Sequence, residues 1–211
     1  MTAPTRSLAV LLSTAWALFG ASPTHAQEVD VGQVGYVLGD TAAAVTVVEF
    51  GDFACGACGE FWRATWPSVR TELIDGGRVL WRHVPFLLGF RRGDAAANAA
   101  ECAAEQGAFW QMHDRLFDGQ ESWMGGRRPE EVFQGYAAAL GLDVSAFTVC
   151  YDGELGRERT RAATRVARDA GVRATPTFFV NGRRVLGALP YDVFRAIVEE
   201  AARMPAAGPG R

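Results

Sequence analysis

The segment FACGACGEF, residues 53–61, carries two cysteines, Cys55 and Cys58, separated by two small residues. Shortly before it, AVTVVEF (residues 44–50) is β-branched and almost wholly apolar, as expected of a strand buried on both faces. After it, residues 58–75 favour a helix that Pro67 kinks and that Gly76-Gly77 ends. RVLWRHV (residues 78–84) indicates a second strand, so the sequence predicts a parallel pair of strands joined by a helical crossover.

The rest of the chain is first helical and then returns to strands. Two predicted strands flank Asn181-Gly182, a strong signal for a two-residue hairpin, and a short strand is expected within residues 34–38. The predicted helices are residues 94–106, 108–117, 129–140, 145–151, 154–170 and 191–201, and the hairpin strands are residues 177–180 and 183–188. This order predicts an α/β protein with a four- or five-stranded sheet, helices on its faces and a helical insertion in its middle.

Length, charge and the N-terminal segment limit the class of protein. The 211 residues, 49% of them hydrophobic, suffice for one compact domain, and a net charge of −3 does not indicate nucleic-acid binding. Residues 1–26 combine Arg6, a short apolar run and Thr24-His25-Ala26, which is typical of a secretory signal peptide. The run is too short to span a bilayer comfortably, although an uncleaved anchor is the alternative. We therefore expect a periplasmic or secreted protein.

The close pair of cysteines favours redox chemistry over the other uses of two thiols. A structural zinc site commonly needs four ligands, but Cys102 and Cys150 form no second CxxC and one of the three histidines lies in the signal peptide, so we expect no metal. A disulfide closing so short a loop would also stabilise the fold little. A thiol at the start of a helix loses its proton easily, so we expect Cys55 to be an exposed, attacking thiolate. Cys58 follows one turn later on the same helical face and can resolve the bond.

These residues resemble the DsbA-type thiol–disulfide oxidoreductases of the thioredoxin superfamily, from about residue 38 to residue 201. The segments that carry the resemblance are LGD (38–40) with VTVVEFGDFACGAC (45–58), AAECAAEQGAFWQMHDRLF (99–117) and ATPTFFVNGRRVLGA (174–188). The resemblance implies a thioredoxin-like fold with an inserted helical domain, a nucleophilic Cys55 and a buried Cys58. It also implies that Thr175-Pro176 forms a cis-proline loop that binds an extended substrate segment.

The resemblance assigns two further features. Glu49 matches an acidic residue beneath the active site, where it would accept or relay the proton of Cys58, and burial would raise its pKa. The alternative is that Glu49 simply pairs with a polar neighbour. Cys102 and Cys150 match a structural disulfide, with two free thiols or a regulatory pair as the alternatives.

The predicted organisation follows from the same comparison. It comprises a signal peptide (1–26), a lead-in (27–40), a first part of the thioredoxin-like domain (41–93), the inserted helical domain (94–171), the second part (172–203) and a disordered tail (204–211). Because residues 27–40 are too short for a dimerisation extension, we expect a monomer. His83 and His113 are interpreted as residues that pack or cap structure.

The resemblance predicts an oxidase that passes the Cys55–Cys58 disulfide to unfolded or reduced exported proteins and needs no bound cofactor. A membrane quinone-linked partner would reoxidise it. Gly56-Ala57 differs from the proline and histidine that strongly oxidising relatives carry between their cysteines, which leaves the direction of electron flow open. The alternatives are a reductase or isomerase of the same fold, and a non-catalytic copper-handling or peptide-binding module.

Overall fold

The computed structural model describes residues 31–126 and 128–204. The predicted signal peptide, the first four residues of the predicted lead-in and residues 205–211 of the predicted tail lie outside these residues. Among the described residues, no helix has both the length and the apolar character needed to cross a bilayer.

A five-stranded sheet forms the centre of the described chain. Its strands are β1 (Tyr36–Leu38), β2 (Val45–Gly51), β3 (Val79–Pro85), β4 (Thr177–Val180) and β5 (Arg183–Leu186). They lie in the order β1-β3-β2-β4-β5, with β2 parallel to β3 and the other neighbours antiparallel. Asn181 and Gly182 join β4 to β5 with positive φ angles of 45° and 81°, as a tight hairpin turn requires.

Helices follow β2, fill the stretch between β3 and β4, and end the described chain. They are α1 (Gly56–Ala64), α2 (Trp66–Ser68), a π-helical segment (Val69–Ile74), α3 (Gly93–Ala104), α4 (Phe109–Asp118), α5 (Gln120–Gly125), α6 (Pro129–Ala139), α7 (Val144–Asp152), α8 (Leu155–Asp169) and α9 (Tyr191–Arg203). The predicted α/β architecture with a helical insertion is therefore confirmed. The predicted boundaries of the inserted domain, residues 94–171, stay a prediction.

The helix predicted over residues 58–75, with a kink at Pro67, begins at Gly56 and is interrupted more strongly than by a kink. It is divided into α1, α2 and the π-helical segment, because Pro67 has no N–H to donate and Thr65 leaves regular helical geometry with φ −118°. Asp75 N donates to the carbonyl of Arg70, five residues back, at 2.9 Å. Helix α5 was not predicted, because six residues are too few to display a period. The other predicted elements agree with the observed ones to within two residues at each end.

Alternation along β2 explains how the sheet is covered on both faces. Val45 and Val47 point to the face packed by α1, the π-helical segment and α9, whereas Val48 and Phe50 point to the face packed by α8. Glu49 lies between these residues, on the same face as Val47, and is the one ionisable side chain of the strand. A third apolar cluster unites α3–α7 with the turn that carries Cys55 and Cys58.

Cys102 on α3 and Cys150 on α7 are joined by a disulfide with an S–S distance of 2.01 Å. We expect the Cys102→Ala/Cys150→Ala variant to lose about 2–4 kcal/mol of unfolding free energy, because the bond closes a loop with a sequence separation of 48 residues. Urea unfolding of the oxidised protein would measure this. Two stable thiols in the oxidised, denatured wild-type protein would contradict the bridge itself.

Candidate active site

The turn between β2 and α1 places Cys55 at the N-terminus of a helix. Cys55 is the N-cap residue of α1, its N–H donates to the carbonyl of Asp52 at 3.0 Å, and its own carbonyl accepts from Gly59 N at 3.1 Å. Its Sγ lies 3.4 Å from the carbonyl oxygen of Thr175, and the Thr175–Pro176 peptide bond is cis. The fold thus brings together Cys55, Cys58 and the Thr175–Pro176 loop, although 120 residues separate Cys55 from Thr175.

The prediction of an exposed Cys55 is wrong, since only 5% of the residue is exposed. The Thr175–Pro176 loop lies against its sulfur, a contact between distant parts of the chain that the spacing of the cysteines does not reveal. Gly56 is exposed and leaves one side of the turn open. An attacking group must therefore reach the sulfur along the edge formed by this loop and the start of α1.

Hydrogen bonds to the sulfur make Cys55 acidic. The hydrogen bond from the Cys58 thiol lowers the pKa of Cys55 most. Burial acts in the opposite direction and would raise this pKa. The Thr175 side chain and the N–H groups of Cys58 and Ala57 lower it further, to about 5. The carbonyl of Thr175 can accept only from the protonated thiol. The hydroxyl of Thr175 is buried and makes no hydrogen bond in this structure, so it is free to donate to the thiolate when Cys55 loses its proton.

Cys58 is shifted in the opposite direction. It is 1% exposed, and burial, followed by its hydrogen bond to Cys55 and by the charges of Cys55 and Glu49, raises its pKa well above the ordinary value. Both cysteines are free thiols in this structure. At neutral pH the pair therefore holds one proton, on Cys58, which donates it toward the Cys55 thiolate.

Glu49 lies beneath the cysteines in a hydrogen-bonded, buried position. Its Oε2 accepts from Trp81 Nε1 at 3.2 Å and lies 3.0 Å from Nδ1 of His83, its neighbour across the parallel strands. Burial alone would raise the pKa of Glu49, but the electrostatic attraction and hydrogen bond of His83 outweigh it, so the pKa lies below its usual value. The prediction of a raised pKa is wrong, because the sequence did not indicate that His83 contacts this carboxylate.

Gly51 makes room for the Glu49–His83 pair. A Cβ at this position would lie 2.8 Å from Cε1 of His83 and 3.2 Å from Oε1 of Glu49. Any larger residue would displace the imidazole from the carboxylate. The glycine before the CxxC segment is thus explained by the contact between Glu49 and His83 rather than by backbone conformation.

Glu49, His83 and His113 are the described residues whose donor atoms cluster as a metal would require, within 4.8 Å of one another. In both histidines Nδ1 is already paired, with Glu49 and Asp114 respectively, whereas Nε2 is buried without a hydrogen-bond partner. The sequence did not indicate this cluster, since its members come from β2, β3 and α4. The expectation of no metal site stays a prediction.

Asp52 ties the loop after β3 to the cysteine-bearing turn. Its carboxylate accepts from Ala54 N at 2.9 Å and from Leu88 N at 3.1 Å. Burial raises its pKa to about 6, against these hydrogen bonds and with a smaller contribution from the charge of Cys55. Asp52 therefore titrates close to the range in which Cys55 does.

Gln120 is a site residue that the sequence did not indicate. It begins α5, is almost fully buried, and its Nε2 donates to the carbonyls of Phe53 at 2.6 Å and of Cys55 at 3.0 Å. Gly59 permits this approach, because a Cβ there would lie 2.2 Å from Oε1 of Gln120. The side chain fixes the two peptide groups that flank Ala54 and Cys55, and with them the first turn of α1.

We expect Gln120→Ala to raise the pKa of Cys55 and to cost about 1–3 kcal/mol of unfolding free energy, because two buried carbonyls lose a donor. Thiolate absorbance at 240 nm, followed against pH, would measure the first effect. Gln111→Ala is the matched control, since Gln111 is an exposed glutamine on α4. Lost stability with an unchanged thiolate titration would mean that Gln120 does not orient the helix terminus toward Cys55.

Comparison with known proteins agrees with this arrangement. A family model described as Thioredoxin matches residues 32–200. The Na(+)/H(+) antiporter NhaA 1 of Salinispora arenicola is 41% identical over 174 residues, which are 79% of this chain and 24% of the antiporter. The chain thus spans about a quarter of the length of the curated relatives it matches.

Two solved structures share the fold over most of their length. Oxidised BdbD from Bacillus subtilis superposes with a TM-score of 0.71 at 25% identity, covering 81% of this chain and 94% of BdbD. DsbA from Chlamydia trachomatis gives a TM-score of 0.74 at 18% identity, covering 83% of this chain and 95% of that protein. These likenesses confirm the fold class that the sequence predicted.

Proposed function

Because the chain belongs to the thioredoxin family, we propose that it is a thiol–disulfide oxidoreductase in which Cys55 is the nucleophile and Cys58 its resolving partner. One observation carries the proposal. Two thiols one helical turn apart have opposite pKa shifts, with Cys55 lowered to about 5 and Cys58 raised. Only a thiolate exchanges with a disulfide, so this asymmetry supports the proposal that Cys55 attacks and that Cys58 holds the proton.

As an oxidase the enzyme works in two exchange steps. A client thiolate attacks Cys55 of the Cys55–Cys58 disulfide, the S–S bond breaks, and Cys58 leaves with the electron pair and takes up a proton. A second client thiolate then attacks the client sulfur of the mixed disulfide and expels Cys55 as a thiolate. The client gains a disulfide and the enzyme retains both electrons on its cysteines, so no bound cofactor takes part.

Glu49 transfers the proton that Cys58 gains and loses during exchange. Its lowered pKa keeps it a carboxylate, which makes it a base when the reduced enzyme is reoxidised and Cys58 must give up its proton. Glu49 and Cys58 line one narrow space beneath the first turn of α1. The alternative from the sequence was that Glu49 simply pairs with a polar neighbour. Its contact with His83 is compatible with the proton-transfer role, because it holds the carboxylate in place.

The acidity of Cys55 supports the oxidase direction. A stable thiolate favours the reduced enzyme and so makes its disulfide a stronger oxidant; thioredoxin, with a pKa of about 7, has a potential near −270 mV, and DsbA, with a pKa of about 3.5, near −120 mV. A pKa of about 5 lies between them. We expect a potential of roughly −220 to −180 mV, and a value at or below about −270 mV would assign the reductase or isomerase direction instead.

The remaining expectations belong to the same proposal. Thr175 and Pro176 bind an extended segment of the client beside Cys55, and the clients are unfolded or reduced exported proteins. The enzyme acts as a monomer in the periplasm or outside the cell, and a membrane quinone-linked partner reoxidises it. Neither nucleic acid nor a metal ion is required.

Paired activity measurements test the proposal. The purified protein is expected to catalyse insulin reduction by dithiothreitol and to speed the oxidative refolding of a reduced, unfolded client. Equilibration with glutathione gives the potential and thereby the direction. Inactivity in both reactions, together with one copper ion bound by Cys55 and Cys58, would replace the enzyme with the copper-handling alternative.

A further inference from the structure

Cys58 has to exchange a proton in every catalytic cycle, yet it is enclosed. The space beside it is narrow and apolar except for two ionisable residues, Glu49 and His113. The remaining residues that line it are Phe61, Trp62, Trp66 and Phe117. Cys58, Glu49 and His113 are each at most 3% exposed, so the proton must pass through side chains to reach water.

His113 has the arrangement that proton transfer through an imidazole requires. Its Nδ1 lies 2.9 Å from Oδ1 of Asp114, whereas its Nε2 is buried and has no hydrogen-bond partner. One ring nitrogen of His113 lies within 4.8 Å of a carboxylate oxygen of Glu49. A neutral imidazole accepts a proton at one nitrogen and releases another from the opposite nitrogen, so the ring connects its two neighbours.

Asp114 lies at the solvent-exposed end of the residues that connect Cys58 to water. Its side chain is 42% exposed, whereas that of His113 is only 2% exposed. Trp62 Nε1 donates to the same Oδ1 at 3.3 Å and holds the carboxylate between α1 and α4. Trp81 and His83 hold Glu49 in place at its Oε2.

We propose that the proton of Cys58 is exchanged with solvent through Glu49, His113 and Asp114, and that His83 positions Glu49 for this transfer. The inference rests on the proposed thiol–disulfide exchange and names the route of its proton. When the Cys55–Cys58 bond breaks, the electron pair goes to the Cys58 sulfur. A proton passes from Nε2 of His113 to the Glu49 carboxylate and from Glu49 to this sulfur, and Nδ1 of His113 is reprotonated from water through Asp114. Reoxidation by a disulfide partner runs the same transfers backwards.

The charges around the route agree with this sequence of transfers. The groups that face it are Cys58 from α1, His83 from β3, His113 and Asp114 from α4, and Arg70 from the π-helical segment, which acts on Asp114. Burial, above all, lowers the pKa of His113 and keeps the ring neutral. Burial would raise the pKa of Asp114, but the hydrogen bonds from His113 and Trp62 help to outweigh it and leave a carboxylate at the surface.

Stopped-flow reduction of the oxidised protein by dithiothreitol tests the route. We expect Asp114→Asn to slow this step by roughly 10- to 100-fold, because the amide cannot carry a proton to His113. The equilibrium constant with glutathione should change less than about twofold, since a route affects rates and not end states. Asp118→Asn is the matched control, an exposed carboxylate near the end of the same helix.

Two further measurements separate a route from a structural effect. Asp114→Ala opens the surface end, so added imidazole buffer should restore much of its rate, whereas the wild-type rate should not depend on the buffer. His113→Phe keeps an aromatic ring in the same packing and should be slow and unresponsive to imidazole.

The outcomes distinguish the route from the function on which it rests. An active wild-type protein whose rate is unchanged in Asp114→Asn and His113→Phe overturns the route alone. So does a slower Asp114→Asn whose glutathione equilibrium shifts by the same factor, together with an Asp114→Ala that imidazole does not restore. A wild-type protein without exchange activity overturns the proposed function, and the route with it.

Discussion

The Cys58→Ser variant is expected to accumulate a stable mixed disulfide with its client, while catalytic turnover falls to the uncatalysed background. Cys55 keeps its place at the start of α1 and, with Cys58 replaced, the serine hydroxyl can still donate to its sulfur. Serine cannot attack the mixed disulfide, so the variant has no sulfur of its own with which to resolve it. Non-reducing gel electrophoresis after incubation with an oxidised client, followed by mass spectrometry of the adduct, would measure this.

Cys55→Ser supplies the contrasting variant. It removes the thiolate with the lowered pKa and leaves only Cys58, which is buried and protonated at neutral pH. We expect neither turnover nor adduct. The Cys102→Ala/Cys150→Ala variant is the control for the loss of a cysteine as such, and it should retain turnover because its bond lies between α3 and α7. Turnover by Cys58→Ser, or an adduct on Cys55→Ser, would contradict the assigned roles.

The fold could be predicted from the sequence because its elements carry strong local patterns. The apolar run of β2, the Asn181-Gly182 hairpin and the apolar face of α9 are each visible in a few adjacent residues. Pro67 indicated that the helix over residues 58–75 is interrupted, but the π-helical segment was not visible, because such a segment depends on how its side chains pack and not on a period in the sequence. Helix α5 is too short for any pattern, yet it supplies Gln120.

The site could be predicted only as far as its motifs extend. Cys55, Cys58 and Thr175-Pro176 were named because they belong to recognisable segments. The acidity of Cys55 and the pKa of Glu49 depend on contacts across the sheet and between α1 and α4, which no local pattern encodes. His83 and His113 illustrate this limit, since each alone resembles an ordinary core histidine and only the fold places both beside Glu49.

The second large effect concerns the pH dependence of the reduction potential. Cys55 has a folded pKa of about 5, whereas a free thiol titrates near 9.0. Below pH 5, reduction adds two protons to the pair, and the potential should fall by about 60 mV per pH unit. Between pH 5 and pH 8, Cys55 stays a thiolate and only Cys58 takes up a proton, so the slope should halve to about 30 mV per unit.

The sign of the effect follows from proton binding. The folded, reduced protein binds fewer protons than its unfolded chain wherever the pH lies between about 5 and 9, so a rise in pH stabilises it within that window. This stabilisation is complete above the unfolded pKa and is lost as the pH falls toward 5. Cys58 has a raised pKa, so it destabilises the folded, reduced protein with rising pH only above the ordinary thiol pKa. At pH 8 this difference should make the reduction potential roughly 90 mV higher than that of a dithiol with unshifted pKa values, which is about a thousandfold in the equilibrium constant.

Equilibration with dithiothreitol at pH values from 4 to 8 would measure both slopes. Asp52, whose pKa is raised to about 6, titrates in both the oxidised and the reduced protein, so its effect on the reduction potential should largely cancel. Thr175→Val is the matched variant, because it removes the buried hydroxyl that stabilises the thiolate and should move the change of slope to higher pH. A uniform slope of about 60 mV per pH unit up to pH 8 would mean that reduction adds two protons over the whole range. Cys55 would then be an ordinary thiol, because the reduced protein would contain no thiolate.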